Sequence, residues 1–472
     1  MKTSSKVTLG YAVLAGGLLL NGELHGQQPN ILIIMTDQQS ADAMSNVIGN
    51  KYVNTPNMDY LAEHGIKFTK AYCPNPLCVP SRSSMFTGRY PHEIGIQDNK
   101  FGARVDPEIV PCMGRVFYEN GYNTGYVGKW HLPYAGKDKN AHGFQYMGQV
   151  KDKGVDNLIA ASVIGFINSE SDKPFLAIAS FCNPHNICEW ARGDKLPDGD
   201  VGRPASPDKC PPLLPNHDPT YNETDINRDM RASIQANPQF PVGDFDEAKW
   251  REYRWAYYRM IEKVDREIGK IINGLKESGK AENTLIIFLS DHGDMLGAHN
   301  WNQKTVFYEE SSRVPLIICP PGHKTQEQSD VLVQTGIDIL PSICAFAGIR
   351  PPSGLPGNNI FDLLKTKRSP EYIVVSNKLS QGKNIFENRE SFAPEGRMIR
   401  SKKYKYWIYN EGEQRESLFD MENDPGEMND LAKNPAYKKE LNRHRRYLNK
   451  WATKCGDPYL ENNQPDKITT LN

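Results

Sequence analysis

Two long apolar runs, each ending in a carboxylate, dominate the hydrophobic pattern of the chain. The first extends from Asn30 to Asp37 and the second from Asn283 to Asp291. Neither alternates apolar with polar positions, which is typical of strands buried on both faces of a parallel sheet. A third run, residues 174–181, has the same character. Because functional side chains of such sheets lie at the carboxyl ends of the strands, we expect Asp37 and Asp291 to meet at one edge.

A helical pattern precedes the second of these runs. From Asp246 to about Gly279, apolar side chains recur at helical spacing on one stripe, formed by Trp250, Tyr257, Ile261, Val264, Ile268, Ile271 and Leu275. Buried strands that alternate with such helices are typical of a parallel sheet covered on both faces.

The pattern changes near residues 365–370, which we take as a domain boundary. Beyond it, an amphipathic helix extends from Asn434 toward Trp451. Short predicted strands precede that helix at residues 372–376, 397–400, 405–409 and 417–420. The predicted fold class is α/β, with a large, mostly parallel sheet covered by helices on both faces at residues 28–368. A smaller α+β subdomain with an antiparallel sheet and one helix would occupy residues 369–472.

The first 27 residues have a different character. Lys2 and Lys6 precede an apolar run from Val7 to Leu20, and a polar stretch follows. This order is typical of a secretory signal peptide, and the run is too short for a membrane-spanning helix with ordinary flanks. We therefore expect residues 1–27 to be a signal peptide and the product to be exported, periplasmic or secreted, without stable membrane insertion.

The charge composition argues against one functional class, the nucleic-acid-binding proteins. The 472 residues carry 56 Lys and Arg against 57 Asp and Glu, for a formal net charge of −1. Because the chain has no net basic field, we expect no nucleic-acid partner.

One short segment combines a possible nucleophile with a cation. It reads CVPSR at residues 78–82 and ends in TGR at residues 87–89. Pro80 suits the first turn of a helix, so Cys78 would lie at the positive end of a short helix. That field favours a thiolate or a bound anion, and Arg82 adds a fork of donors suited to an oxyanion. For an isolated Cys-x-Pro, the alternative is a buried cysteine in a proline turn.

The string at residues 78–89 resembles the signature of the type I sulfatases, in which the cysteine is oxidised to formylglycine. A second signature of that family is matched by GYNTGYVGKWH at residues 121–131. Similar segments extend from about residue 29 to about residue 432. The chain is therefore identified as a member of the formylglycine-dependent sulfatases, and the resemblance implies the alkaline-phosphatase-like superfold. Setting Cys78 aside leaves eight of nine cysteines, which either form disulfides or stay reduced.

Side chains near the two strand ends predict a metal site. Asp37, Gln38 and Asp291 offer hard oxygens that favour calcium or magnesium, whereas His292 pulls toward zinc. Taken singly, each aspartate would only cap the loop that follows it. The resemblance implies one calcium ion per chain, with Asp37, Gln38, Cys78, Asp291 and His292 as the metal site. Gln38 replaces the commoner second aspartate of that pattern, which removes one negative charge.

Further polar residues follow predicted strands. Lys129 and His131 lie two apart on a segment that we expect to be extended, so both would face one anion. His185 follows the run at residues 174–181, and Lys304 lies in a polar loop. Without the resemblance, solvated lysines and packed histidines would be the default interpretation.

The resemblance also implies a mechanism. Hydrated formylglycine at Cys78 would attack sulfur, His185 and Lys304 would assist the leaving alcohol, and His131 would help to expel sulfate. The implied catalytic residues are Cys78, Arg82, Lys129, His131, His185 and Lys304. A formylglycine-generating maturation enzyme is the implied protein partner.

Two other functions fit parts of this pattern. A phosphate or phosphonate monoester hydrolase of the same superfold would use similar groups, but its two-zinc members need extra Asp and His ligands and a Thr or Ser nucleophile, which we do not find. A carbohydrate-binding protein without catalysis would be favoured by loss of Cys78, Arg82, Lys129 or Asp291, and all four are present.

The substrate prediction rests on residues 189–245. This segment is rich in Pro, Asp, Asn and Gly and shows no sustained period, which is typical of a long functional loop. Its side chains suited to sugars and their anionic groups are Trp190, Arg192, His217, Tyr221 and Arg228. We therefore expect a sulfated saccharide, a glycosaminoglycan or mucin-type oligosaccharide, as the substrate. The alternative is a surface loop, with selectivity supplied by the C-terminal subdomain.

Overall fold

A computed structural model of the chain describes residues 28–100, 105–151, 155–380, 382–387 and 390–465. The predicted signal peptide lies outside these residues.

Strands and helices alternate through most of the described chain. The strands are β1 (Asn30–Asp37), β2 (Ile66–Phe68), β3 (Ala71–Tyr72), β4 (Asn123–Lys129), β5 (Tyr146–Lys151), β6 (Phe175–Pro184), β7 (Thr284–Ser290), β8 (Leu316–Cys319), β9 (Glu327–Ser329), β10 (Val333–Gln334), β11 (Tyr372–Lys378), β12 (Glu395–Ser401), β13 (Tyr404–Tyr409) and β14 (Glu416–Asp420). The α-helices are α1 (Ser45–Ile48), α2 (Pro56–Glu63), α3 (Cys78–Thr87), α4 (Met113–Glu119), α5 (Lys139–His142), α6 (Ile159–Ile167), α7 (Ile187–Arg192), α8 (Asp225–Gln235), α9 (Glu247–Glu277), α10 (Glu309–Ser312), α11 (Thr335–Phe346), α12 (Ile360–Thr366), α13 (Lys438–Cys455) and α14 (Tyr459–Asn462). Short 3-10 helices span Asp156–Leu158, Pro207–Lys209, Ala281–Asn283, Ala298–Asn300 and Pro435–Tyr437.

The main sheet has eight strands in the order β5-β4-β6-β1-β7-β8-β2-β9. The five strands from β5 to β7 are parallel, whereas β8 runs antiparallel to both of its neighbours. Strand β1 lies between β6 and β7, with Ile33 beside Ile178 and Ile287. The predicted large, mostly parallel sheet is confirmed, and β1, β4, β6 and β7 end at the same edge.

Helices cover both faces of this sheet, as predicted. Side chains of β1 point alternately to the two faces, so Ile33 joins one core and Ile34 the other. The first core includes Met85 of α3 and Leu340 of α11. The second includes Ile261 of the long helix α9.

The C-terminal sheet is antiparallel, as predicted, with the order β11-β12-β13-β14. One of its faces packs on α13 through Ile399 and Leu448. The other packs on the main domain through Trp407 and Phe307. Helix α12 ends at Thr366 and β11 begins at Tyr372, and the domain boundary at residue 368 stays a prediction.

The insert at residues 189–245 differs from the sequence prediction. It contains α8, which is capped by the Thr224 hydroxyl accepting from the Asn227 N–H. Ile226, Met230 and Ile234 recur every four residues on this helix and are buried in the core that faces the C-terminal sheet. The interpretation as a loop without periodicity is wrong here because three apolar residues among charged ones are enough to bury one helical face.

All nine cysteines are free thiols, and all but Cys455 are buried. The sequence left open whether the eight cysteines other than Cys78 form disulfides or stay reduced, and in the structure they are reduced. Among the described residues, no helix combines the length and the apolar character that crossing a membrane requires.

Candidate active site

Cys78 is the first residue of α3 and is fully buried. The helix ends at Gly88, which has the left-handed conformation (φ 67°) that the sequence predicted for a glycine stop. Ser81 donates a 2.6 Å hydrogen bond from its hydroxyl to the carbonyl oxygen of Asp291. This bond ties the start of α3 to the end of β7, so the Cys78 side chain faces the edge of the sheet.

Four predicted metal ligands meet beside α3. Asp37, Cys78, Asp291 and His292 are fully buried, and each offers one ligand atom within 4.8 Å of the others. His292 Nε2 lies 3.2 Å from Cys78 Sγ, and Nδ1 lies 2.9 Å from the carbonyl oxygen of Gly293. Because a carbonyl only accepts, the proton of a neutral imidazole lies on Nδ1, which leaves the Nε2 lone pair directed into the cluster.

Arg82 organises the two carboxylates of this cluster. Its Nε donates to Asp291 Oδ2 at 2.6 Å and its Nη2 to Asp37 Oδ2 at 3.1 Å, while Nη1 donates to the Lys129 carbonyl and the Ser180 hydroxyl. The guanidinium is fully buried. The expected fork toward an oxyanion is therefore directed to protein carboxylates.

Two lysines reach the cluster, one from the end of a strand and the other from a loop. Lys129, at the end of β4, places Nζ 2.6 Å from Asp37 Oδ2. Lys304 Nζ lies 3.2 Å from Cys78 Sγ and 2.6 Å from Gln38 Oε1. Both lysines are 1% exposed, so their charges are held almost without solvent.

These contacts shift the ionisation of the site. Burial acts to raise the pKa of the Cys78 thiol, but Lys304, Lys129 and His292 outweigh it and hold that pKa well below its ordinary value. Burial and Cys78 act to raise the pKa of Asp37, and nearby cations, Lys129 foremost, hold it below its ordinary value. The site therefore stabilises negative charge at the position of Cys78.

The two predicted histidines are only half-buried. Each lies close enough to Cys78 for the two groups to affect each other's ionisation. Strand β4 ends at Lys129, and His131 has a left-handed backbone (φ 45°), so the expected extended geometry does not continue to it. Burial, Lys129 and Lys304 lower the pKa of His185 to about 4, which makes this imidazole neutral at neutral pH.

Gln38 has an additional partner that the sequence did not reveal. Its Nε2 donates to Asp294 Oδ2 at 2.6 Å, and its backbone N–H donates to Asp291 Oδ1 at 3.2 Å. Asp294 follows His292 by two residues, and this third carboxylate near the strand end was the available signal.

A second missed cluster lies behind His185. Asp156 accepts hydrogen bonds from the backbone N–H groups of Cys182 and Asn183 at 2.7 and 2.8 Å. The Asn183 amide donates to both Asp156 and Asp198 at 2.8 Å. The insert is thereby fastened to the strand that presents His185, through long-range contacts with no local sequence signal.

The arrangement as a whole suits transfer of a tetrahedral anion. It combines a nucleophile position at a helix start, buried cations, a cluster of metal-ligand atoms and two half-buried imidazoles. Cations and a metal fixed in a dry pocket stabilise the charge that develops on the oxygens of such a group.

Comparison with known proteins agrees with this chemistry. The Sulfatase family model matches residues 29–349, and the model of the N-sulphoglucosamine sulphohydrolase C-terminal region matches residues 297–454. A Delta 4,5-hexuronate-2-O-sulfatase of Bacteroides thetaiotaomicron is 29% identical over 92% of this chain and 90% of its own. An ulvan-active sulfatase of Formosa agariphila is 30% identical over 92% of this chain and 82% of its own.

A solved structure of a 2-O GAG sulfatase superposes with a TM-score of 0.81 at 27% identity, covering 92% of this chain and 94% of that one. The eight-stranded sheet and the four-stranded C-terminal sheet fit the alkaline-phosphatase-like superfamily. The chain belongs to the sulfatase family and is a sulfuric ester hydrolase.

Proposed function

We propose that this sulfatase hydrolyses an O-sulfate ester of a carbohydrate, a glycosaminoglycan or mucin-type saccharide. The observation that carries the proposal is the buried convergence of Cys78, Lys129 and Lys304 on the carboxylates and imidazole at the sheet edge. The similarity to a hexuronate sulfatase and to a 2-O GAG sulfatase, each over 92% of the chain, supports a sulfated saccharide.

The reaction assigns a task to each residue around Cys78. Formylglycine made from Cys78 would supply, as its hydrate, the oxygen nucleophile. Lys304 binds the sulfate and assists the leaving alcohol through its ammonium group, which lies beside position 78. His185 faces the same leaving group, and His131 accepts a proton as sulfate is expelled.

We propose one calcium ion per chain at the edge cluster. The residues present fit a hard cation, because Asp37 and Asp291 bring two buried carboxylates, against the single imidazole of His292. Gln38 adds an amide oxygen that accepts from Lys304 with one lone pair and keeps the other for the ion. The residue derived from Cys78 would complete the site. Such an ion neutralises charge on the sulfate oxygens.

The insert at residues 189–245 is the proposed recognition element. Helix α7 begins two residues after His185, and its Trp190 lines an open cleft of about 900 Å³. The charged residues that line the same cleft are Lys195, Arg203 and Lys249 together with Asp194, Asp200 and Glu252. An aromatic ring beside charged groups of both signs suits a polar sugar ring, and the three cations can pair with its carboxylate or sulfate groups. His217, in contrast, packs against Trp250 and bonds to the Gly297 carbonyl, so it supports the fold.

A panel of defined sulfated saccharides tests the substrate class. Trp190→Ala and Arg203→Ala are expected to change the preference among saccharides, with little effect on a small aryl sulfate. Tyr118→Ala, which removes a 48% exposed aromatic ring on α4, is the matched control. Point variants are preferable to deletion of the insert because α8 is part of the core.

Each other outcome of the panel favours a named alternative. Unchanged preference in both variants removes the insert from the proposal and favours the C-terminal subdomain. Activity confined to aryl or lipid sulfates contradicts the carbohydrate assignment. Faster turnover of phosphate or phosphonate monoesters favours that class of hydrolase, and saccharide binding without turnover favours a binding protein.

We also propose that residues 1–27 direct export to the periplasm or the medium, and that a formylglycine-generating enzyme acts on Cys78. Peptide mass spectrometry of the active protein is expected to show the Cys78 sulfur replaced by aldehyde oxygen. Full activity of protein whose Cys78 is entirely thiol would contradict the formylglycine mechanism.

A further inference from the structure

The side-chain amide of Gln38 bridges a carboxylate and an ammonium group. Its Nε2 lies 2.6 Å from Asp294 Oδ2, and its Oε1 lies 2.6 Å from Lys304 Nζ. Lys304 in turn places Nζ 3.2 Å from Cys78 Sγ. Three short contacts therefore connect Asp294 to the Cys78 side chain, from which the nucleophile would be made.

The orientation of this amide is determined from both ends. A carboxylate only accepts hydrogen bonds, so the NH₂ group of Gln38 must face Asp294. An ammonium group only donates, so the carbonyl oxygen must face Lys304. Both requirements select the same orientation, and Gln38, Asp294 and Lys304 are at most 1% exposed, so no solvent molecule competes.

Asp294 is itself held by residues outside the metal cluster. Its Oδ1 accepts from the Leu296 backbone N–H at 2.8 Å, and the Tyr253 hydroxyl of α9 lies 3.2 Å from Oδ2. The Asp294 backbone N–H donates to the Ser40 hydroxyl at 3.0 Å. The carboxylate thus has one oxygen fixed by the backbone and the other presented to Gln38.

We propose that Asp294 is a positioning residue for the sulfatase reaction: it fixes the Gln38 amide so that Gln38 Oε1 holds the Lys304 ammonium beside Cys78. The inference rests on the proposed role of Lys304 at the sulfate group. Asp294 does not touch the reacting atoms and acts through Gln38.

Asp294→Asn is the first test. It replaces one acceptor oxygen of the carboxylate by an NH₂ donor and keeps the shape of the side chain. The Leu296 N–H retains the amide oxygen of the new side chain, so its NH₂ group faces the NH₂ group of Gln38. Gln38 then has to rotate and present donors to Lys304. We expect kcat to fall by about 10²-fold, with little change in KM, as is typical when a catalytic group is displaced by about 1 Å.

Gln38→Glu creates the complementary mismatch, because two carboxylates then face each other across the former 2.6 Å contact. The double variant Gln38→Glu/Asp294→Asn restores a donor opposite an acceptor and again presents an oxygen to Lys304. We expect its kcat to exceed that of either single variant by about tenfold or more. Asp172→Asn, an exposed carboxylate between α6 and β6, is the charge-removal control.

The variants are compared at saturating calcium, on whichever sulfate ester the wild-type protein hydrolyses fastest, so the outcome does not depend on the saccharide assignment. The formylglycine content of each variant, measured by mass spectrometry, separates poor maturation from poor positioning. Wild-type kcat in Asp294→Asn, or losses that simply add in the double variant, would overturn the proposal. If Asp294→Asn does not fold, the kcat of the double variant must still exceed the kcat of Gln38→Glu.

Discussion

Arg82 Nε lies 2.6 Å from Asp291 Oδ2, and neither side chain is accessible to solvent. The same guanidinium reaches Asp37 Oδ2 at 3.1 Å, so one cation joins the carboxylates that end β1 and β7. Two carboxylates so close would repel each other without it. Arg82 therefore favours the ionised form of both, which is the state that a metal ion requires, although burial and Asp37 still hold the pKa of Asp291 above its ordinary value.

Removal of Arg82 is expected to destabilise the protein most when no metal is bound. Arg82→Ala leaves Asp37 and Asp291 buried without their shared partner, a type of change that costs about 3–5 kcal/mol. Calcium would replace part of the lost charge, so the loss should be smaller with calcium than with chelator. Urea unfolding in both conditions measures this. Equal losses in the two conditions would show that the carboxylates do not bind calcium.

Chelation is expected to abolish activity, and calcium is expected to restore it better than zinc. Asp37 and Asp291 offer hard carboxylate oxygens, and His292 offers a nitrogen. Position 78 would add an oxygen once the Cys78 sulfur is replaced, so the test uses protein with formylglycine at that position. Activity is measured after exhaustive chelation and after return of each metal at equal free concentration. Full activity of metal-free protein would refute the site, and better recovery with zinc would favour the phosphatase-like alternative.

The sequence predicted the site residues at the strand ends more completely than the residues that hold them in place. Asp37 and Asp291 could be paired because both end apolar strands, and parallel strands deliver their carboxyl ends to one edge. Asp198 gave no such signal and Asp294 only its position two residues after His292, because their partners come from distant parts of the chain. The resemblance to sulfatases supplied the role of Lys304, since a lysine in a loop has no pattern of its own.

Lys405 offers a test of how the C-terminal sheet is held. Its Nζ lies 2.8 Å from Glu309 Oε1 and 2.7 Å from Glu427 Oε1, and the side chain is fully buried. Lys405→Met leaves two buried carboxylates with one cation fewer, so we expect a loss of about 3–5 kcal/mol in the free energy of unfolding. Chemical denaturation, followed by tryptophan fluorescence, is the measurement.

Two variants make the Lys405 result specific. Lys405→Met/Glu427→Gln also replaces one of the two buried carboxyl groups by a neutral amide and should recover part of the lost stability, because the amide oxygen introduced at position 427 can still accept from the Glu309 N–H. Lys402→Met removes a lysine that is 69% exposed and should change stability little. A Lys405→Met protein as stable as Lys402→Met would show that the buried charges contribute nothing.

The Asp156 cluster predicts a pH-dependent stability. Burial and the charge of Asp198 raise the pKa of Asp156 to about 7. The unfolded chain has the lower, ordinary value, so between about pH 4 and pH 7 the folded protein binds the extra proton. Stability from this group is complete below about pH 4 and is lost as the pH rises through 7. One proton of difference corresponds to a slope of about 1.4 kcal/mol per pH unit.

Asp198→Asn removes the charge that helps to raise this pKa, so the folded protein should lose its extra proton at lower pH. The stability of the variant relative to wild type is then expected to improve between pH 5 and pH 7, as measured by urea denaturation of both proteins at each pH. Asp200→Asn, which replaces an exposed carboxylate of the same loop, is a matched control. Its stability relative to wild type should stay constant between pH 5 and pH 7. If the stability of Asp198→Asn relative to wild type does not change with pH, the proposed charge interaction between Asp198 and Asp156 is contradicted. Because Asp156 anchors the backbone that leads to His185, the same titration would loosen one side of the active site at alkaline pH.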